Sequence, residues 1–300
     1  MQYTGNQLAV VEVTDNALSH QDMQNMAREF NFSETVFLDR RDTSRPPRAH
    51  IFTPVNEMDF AGHPVIGTGH VLFRQVLPGS SGPETAIASI ETKAGTVGIS
   101  YDQGSGTVAA EVPHNVHIHS NETTRQNVLD TQPELTASTA VASMKDTYPT
   151  VSVVRGVTYV LVDFTDLPDL FANVSAGNGP ATSLDDKWSP SFVGTMYYRA
   201  LETHAEQGTK VQSLRVRMIA IGLEDPACGS GCCTLSAYLA LRDGQKNGKY
   251  KFHYDQGSEI GRDSKLTVEI ALDEQGTKVS SMRLSGQAAP VTEGTILLPQ

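Results

Sequence analysis

The sequence predicts an α+β fold built from two similar halves. Two stretches of the 300-residue chain set small residues and a helix breaker directly before a helical apolar pattern. One is Asp59-Phe60-Ala61-Gly62-His63-Pro64, running into Val65-Ile66-Gly67-Thr68-Gly69; the other is Asp225-Pro226-Ala227-Cys228-Gly229-Ser230-Gly231. The elements around them follow one order in each half, as in an internal repeat: strands, an acidic and glycine-bearing turn, one helix, then strands. Helices are too few to cover a parallel sheet on both faces, so the chain is not doubly wound. Its length suits two domains of roughly 150 residues.

Leu8-Ala9-Val10-Val11-Glu12-Val13 is a short apolar run with β-branched residues and reads as a buried strand. Met23, Met26, Ala27 and Phe30 stand at helical spacing behind Ser19, which caps an amphipathic helix. Ser33 to Leu38 and His50 to Thr53 alternate as strands. A helix starts at the Gly62-His63-Pro64 turn, with Pro64 in its first turn, and ends at Pro78-Gly79. Ala88 to Tyr101 and Gly106 to Val112 complete a strand-rich half spanning 1–113, to which a C-terminal strand in 286–300 returns. From 114 to 149 the composition turns polar, which places the domain junction there. The second half spans 150–285. Thr150 to Phe164 forms two strands around Arg155-Gly156, Leu214 to Ile221 another, and a helix runs from the Asp225 turn to Asp243, where Gly244 stops it. Gly257 to Ile270 and Lys278 to Leu284 are again strands.

With 39% hydrophobic and 19% charged residues the chain reads as an ordinary soluble globular protein. Its net charge of -11 argues against nucleic acid or an anionic membrane as main partner, since either needs a basic face. No apolar run approaches the roughly 18 residues of a membrane span, and the N-terminus lacks a basic region followed by an apolar core, so a cytoplasmic protein is expected. Cys228, Cys232 and Cys233 lie within six residues of one another and form no disulfide framework.

A helix start of this kind exposes backbone N–H groups and a positive dipole end that favour a carboxylate or other anion. Two of them suggest a ligand clamped between the copies.

Several blocks, in order over nearly the whole chain, resemble the PhzF-like (phenazine biosynthesis) family of isomerases, relatives of diaminopimelate epimerase. They are Gly5-Asn6-Gln7-Leu8-Ala9-Val10-Val11, Asn31-Phe32-Ser33-Glu34-Thr35, Phe52-Thr53-Pro54 through Gly62-His63-Pro64, Glu224 through Ser230, and Gln256 through Arg262. The resemblance implies a diaminopimelate epimerase-like fold: two pseudo-symmetric domains, each a mostly antiparallel sheet or barrel wrapped around a central helix, with a cleft between them. It implies a homodimer that moves a proton in a small carboxylated substrate without metal or organic cofactor. It also implies Glu34 as general acid/base, with His63 and Asp225 as further catalytic residues. Gly62, Gly229, Ser230 and Gly231 then bind the substrate and orient its carboxylate.

Each residue also has a plainer account. Moving a proton between carbons suits a carboxyl poised near neutrality by burial, and Glu34 sits in an apolar strand between Phe32 and Val36. The alternative is a half-exposed strand glutamate paired with Arg40. His63 is otherwise a turn histidine bonded to a backbone carbonyl, while Asp225 and Ser230 are otherwise helix caps.

Three departures from the family pattern bear on this. Cys228 stands where the epimerases carry one catalytic thiol, and a thiol at a helix N-terminus can titrate near neutrality, making it a possible acid/base. The matching place in the first half is Gly62, so a two-thiol racemase is disfavoured and a Cys228–Glu34 shuttle stays open. The chain begins close to the Gly5-Asn6 block, where relatives have a further strand, so the first sheet is expected to lack an edge strand. Gln7 replaces a common proline.

His114, His117 and His119 lie close together, but in a polar segment they read as linker residues and no metal site is assigned. Gly67-Thr68-Gly69 and Gly229-Ser230-Gly231 lack a phosphate-loop lysine or dinucleotide fingerprint, and Gly104-Ser105-Gly106 reads as a hairpin turn rather than a nucleophile elbow. The sequence therefore points to a proton-shifting isomerase. The competing possibility is a small-molecule binding or scaffold protein that kept the site and lost the chemistry.

Overall fold

A computed structural model describes residues 3–14, 18–76 and 85–297 of the chain. It divides into two compact units: residues up to Val112 together with those from Leu284 on, and Pro113–Arg283.

Unit 1 contains, in order, β1 (Leu8–Val13), α1 (His20–Phe30), β2 (Glu34–Asp39), β3 (Arg48–Phe52), β4 (Glu57–Met58), α2 (Gly62–Val76), β5 (Thr85–Thr92), β6 (Gly95–Asp102) and β7 (Thr107–Glu111). Ser19 and Asp22 form a capping box that fixes the start of α1, and Asn31 ends it in the left-handed conformation. The apolar stripe of α1, Met23, Met26 and Ala27, packs with Phe37 of β2 and Phe52 of β3. Helix α2 touches β1, β2, β3, β6 and β7, so the strands wrap around it. That closeness depends on glycine: a Cβ at Gly67 would lie 2.4 Å from Leu8 Cδ2, and one at Gly69 2.7 Å from Val108 Cγ1. The expected helix end at Pro78-Gly79 lies outside the described residues.

Unit 2 begins with β8 (His117–Ile118), β9 (Thr123–Thr124), α3 (Arg125–Asp130), β10 (Thr147–Tyr148), β11 (Thr150–Val154), β12 (Val157–Asp163) and α4 (Pro168–Ala172). It continues with β13 (Phe192–Glu206), β14 (Thr209–Ala220), β15 (Leu223–Asp225), α5 (Gly229–Asp243), β16 (Lys249–Gln256), β17 (Ser264–Leu272) and β18 (Val279–Gly286), whose residues from Leu284 on belong to unit 1. Helix α5 is buried through most of its length, from Cys232 to Ala237 and again at Leu239 and Ala240. Its residues are accordingly small or apolar on every face rather than on one stripe. Gly244 stops it in the left-handed conformation.

The repeat is explicit in the strand pairing. β1 and β2 run parallel across α1, as β12 and β13 do across α4. β2 is antiparallel to β3, as β13 is to β14. β3 is hooked by the short antiparallel β4 and β14 by β15, and each hook leads into the buried helix, α2 or α5. After the helix, β5 lies parallel to β3 and β16 parallel to β14. An antiparallel neighbour follows each, β6 and β17. Strands β1–β7 and β12–β18 therefore carry one topology, and Gly62-His63 and Gly229-Ser230 hold equivalent places at the head of the central helix.

Residues 114–149 differ from the expected junction. Val128, Leu129, Leu135, Met144 and Tyr148 are buried with Val160, Val162, Phe164, Leu170, Phe171, Tyr197 and Ile219, so the segment is part of the unit 2 core. β13 and β16 were not anticipated, and 258–260 is a 3-10 turn rather than strand. Residues 287–297 carry no strand. No helix among the described residues is long and apolar enough to cross a membrane.

Candidate active site

In unit 1 the start of β2 and the start of α2 bring Glu34 and His63 together: Nε2 of His63 lies 3.6 Å from Oε2 of Glu34, with side chains 17% and 16% exposed. Burial raises the Glu34 carboxyl above the usual carboxylate range, partly offset by a hydrogen bond from Ser33. Its Oε2 is buried and makes no hydrogen bond among the described residues. A carboxyl in that state is shielded from water yet keeps a lone pair available, as a proton carrier requires. Arg40, the alternative partner, pairs with Glu12 at 4.0 Å instead. Gly62 is the first residue of α2, whose first intrahelical bond runs from the Val65 N–H to the Ala61 carbonyl.

In unit 2 the β14–β15 hook turns through Ile221 and Gly222, both at positive φ. It is locked by a buried ion pair: Arg217 donates to Glu224 from Nε (2.8 Å) and Nη2 (2.6 Å), both side chains being 5% exposed. Arg217 Nη1 also donates to the carbonyls of Phe171 and Ala172. This fixes Asp225, the next residue, whose Oδ1 accepts from the Ala227 N–H at 2.8 Å. Gln256, at the end of β16, clamps the turn from both sides. Its Nε2 donates to the Asp225 carbonyl (2.7 Å) and its Oε1 accepts from the Cys228 N–H (3.1 Å). Gly257 follows at φ +82, where a Cβ would lie 2.8 Å from the Pro226 carbonyl oxygen.

Cys228 is the N-cap of α5, its Sγ accepting from the Gly231 N–H at 3.3 Å. The thiol is buried, and that burial, with the Asp225 charge beside it, pushes it up to about 12. Burial therefore opposes the lowering that a helix N-terminus can give a thiol, and Cys228 caps α5. Gly231, expected among the ligand-binding residues, spends its N–H on this cap. Gly229 and Ser230 precede the first intrahelical bond, Cys232 N–H to the Cys228 carbonyl.

Tyr159 of β12 was not anticipated. Its hydroxyl lies 2.7 Å from Ser230 Oγ and 3.2 Å from Cys228 Sγ, and burial holds it as a neutral phenol. Ser230 Oγ also lies 3.6 Å from Cys228 Sγ, so the three side chains form one hydrogen-bonded cluster at the head of α5. Only the β-strand character of 157–163 was visible in the sequence; the contact spans 71 positions.

The family model for phenazine biosynthesis-like proteins matches residues 2–294. An uncharacterised isomerase of Mesorhizobium japonicum is 29% identical over 98% of this chain and 94% of its own length. The trans-2,3-dihydro-3-hydroxyanthranilate isomerase of Pseudomonas aeruginosa is likewise 29% identical, with the same coverage. Among solved structures, a PhzF-family protein of Bacillus anthracis has the same fold, with a TM-score of 0.74 at 20% identity over 99% of this chain and 95% of its own.

Proposed function

The chain belongs to the phenazine biosynthesis-like protein family and is an isomerase, and from that premise we propose that it shifts a proton, and with it a double bond or a stereocentre, in a small carboxylated metabolite. Glu34 takes the proton from one carbon as a carboxylate and returns it to another as the acid. The observation that carries this assignment is the buried Glu34 carboxyl with Oε2 unbonded, 3.6 Å from His63. His63 orients that carboxyl and offers a second polar group to the substrate. Asp225 holds a polar substituent, and the Gly229 and Ser230 N–H groups with the Ser230 hydroxyl bind the substrate carboxylate. Two curated relatives at 29% identity, from Pseudomonas aeruginosa and Pseudomonas chlororaphis, are trans-2,3-dihydro-3-hydroxyanthranilate isomerases. That compound is accordingly the first of a panel of small cyclic and amino-acid-derived carboxylates to assay. The family resemblance supports a homodimer, which light scattering tests.

The test is solvent deuterium incorporation followed by mass spectrometry, for the native chain beside Glu34→Gln. Label that appears with the native chain and disappears with Glu34→Gln is expected. Equal label in both removes Glu34 from the role, and binding without label supports the scaffold alternative. A Cys228-based epimerase is disfavoured by the raised thiol.

A further inference from the structure

The histidine-rich segment that the isomerase site does not use has a third partner that the sequence did not connect to it. His117 and His119 meet Asp185, from the segment between α4 and β13, and one ligand atom of each lies within 4.8 Å of the other two. His114 is not part of the group; its Nε2 bonds the Val279 carbonyl.

Each of the three side chains is oriented from its outer side. His119, whose side chain is fully buried, bonds through Nε2 to Ser152 Oγ at 2.8 Å, which turns Nδ1 toward Asp185. Asp185 Oδ1 accepts from the Ser120 hydroxyl (2.6 Å), and the Ser120 backbone N–H is shared between Oδ1 and Oδ2 (3.2 Å each); Oδ2 also faces the histidines. The His117 ring is stacked on Trp188, 4.6 Å between centroids and 8° from parallel, and its Nε2 lies 2.7 Å from Asp185 Oδ2. Metal-ligating histidines and carboxylates are characteristically held in this way by outer partners.

We propose that His117 Nε2, His119 Nδ1 and Asp185 Oδ2 form a binding site for one divalent transition ion of the zinc class, with water as a fourth ligand. Two imidazoles and one carboxylate are a zinc-type donor set with an open position. A tetrahedral ion with bonds of about 2.0–2.2 Å sets its ligands roughly 3.4 Å apart. The present separations from Asp185 Oδ2, 2.7 Å to His117 and 3.9 Å to His119, bracket that value. Binding replaces the His117–Asp185 hydrogen bond and the one from the Asp185 N–H to His119 Nδ1 (3.1 Å). His117, one-third exposed, gives the ion access from solvent, and its Nε2 proton leaves to solvent while Nδ1 takes one up. The ion would clip the Asp185 segment to β8. This site is independent of the isomerase assignment.

The test is calorimetric titration of the EDTA-treated full chain with Zn2+ and an optical titration with Co2+. Expected are one ion per chain with a micromolar or tighter Kd, tetrahedral cobalt bands, and a melting temperature raised by roughly 5–10 °C at a hundredfold excess over Kd. His117→Ala and Asp185→Asn should each weaken binding at least tenfold, and His114→Ala should leave it unchanged. Zinc-edge X-ray absorption on the unmutated chain should count two imidazoles, which keeps the test decisive if a variant misfolds. Absence of saturable binding, or binding indifferent to both substitutions, overturns the proposal.

Discussion

Replacing Gln256 by leucine should detach the turn that carries Asp225 and Cys228 while leaving both residues in place. The side chain is 1% exposed and makes two hydrogen bonds to backbone groups of that turn, at 2.7 and 3.1 Å. Leucine fills nearly the same volume but satisfies neither, so the Asp225 carbonyl and the Cys228 N–H lose their partner in a region closed to water. Each such loss costs about 1–3 kcal/mol, or about 2–6 kcal/mol together. For a unit of this size that lowers the thermal midpoint by roughly 5–20 °C. Activity should fall further than stability at 25 °C explains, because the turn sets the start of α5. Differential scanning calorimetry beside the deuterium assay reads both effects. A midpoint within about 1 °C of the native chain, with native turnover, would refute the clamp.

Glu34 gives a pH prediction with a definite sign. Its carboxyl is raised in the folded state, so the acidic limb of kcat/KM should sit above the ordinary carboxylate value. The same shift stabilises the folded chain in acid and is lost as pH rises through the folded pKa, so Glu34→Gln should be relatively more stable than the native chain above that point, measured by urea unfolding. Tyr159→Phe should raise KM for a carboxylated substrate about tenfold and have little further effect in a Ser230→Ala background; fully additive losses would break the link between them. Arg217→Met should destabilise unit 2 by about 3–5 kcal/mol by stranding the buried Glu224 charge, while a double replacement with Glu224→Leu recovers most of it in chemical denaturation. Cys228→Ser should keep activity within a few-fold in the same assay, and a loss of a hundredfold or more would restore the thiol as an acid/base.

Elements whose signals are local were legible. Ser19 with Asp22 marks the start of α1, and Gly244 marks the stop of α5, because a cap acts within one turn. β13 was missed for a physical reason: residues 194–198 are buried in succession, so the strand lacks the alternation of a half-exposed one. β16 did carry the signal, with Tyr250, Phe252 and Tyr254 buried and the half-buried Lys251 and exposed His253 between them. The 114–149 segment was misplaced because composition averages over residues, whereas burial there rests on a few anchors such as Val128, Leu135 and Tyr148. A polar segment with widely spaced apolar residues can still complete a core.

The site divides along the same line. Glu34, His63, Asp225 and Ser230 stand in compact motifs, while the groups that orient the unit 2 turn reach it from 28 positions away at Gln256 and 71 at Tyr159. Cys228 shows why a motif alone misjudges chemistry. A helix N-terminus favours a thiolate by up to about 2 kcal/mol in the best partly buried cases. Burial, with the neighbouring Asp225 charge, pushes the thiol the other way, up to about 12. Burial therefore wins, and the thiol stays protonated as an acceptor for the Gly231 N–H. No thiolate then neutralises the positive end of α5. The Ala227 N–H is taken by Asp225, while the Gly229 and Ser230 N–H groups precede the first intrahelical bond of α5. In the proposed function, the Gly229 and Ser230 N–H groups at this end of the helix hold the substrate carboxylate.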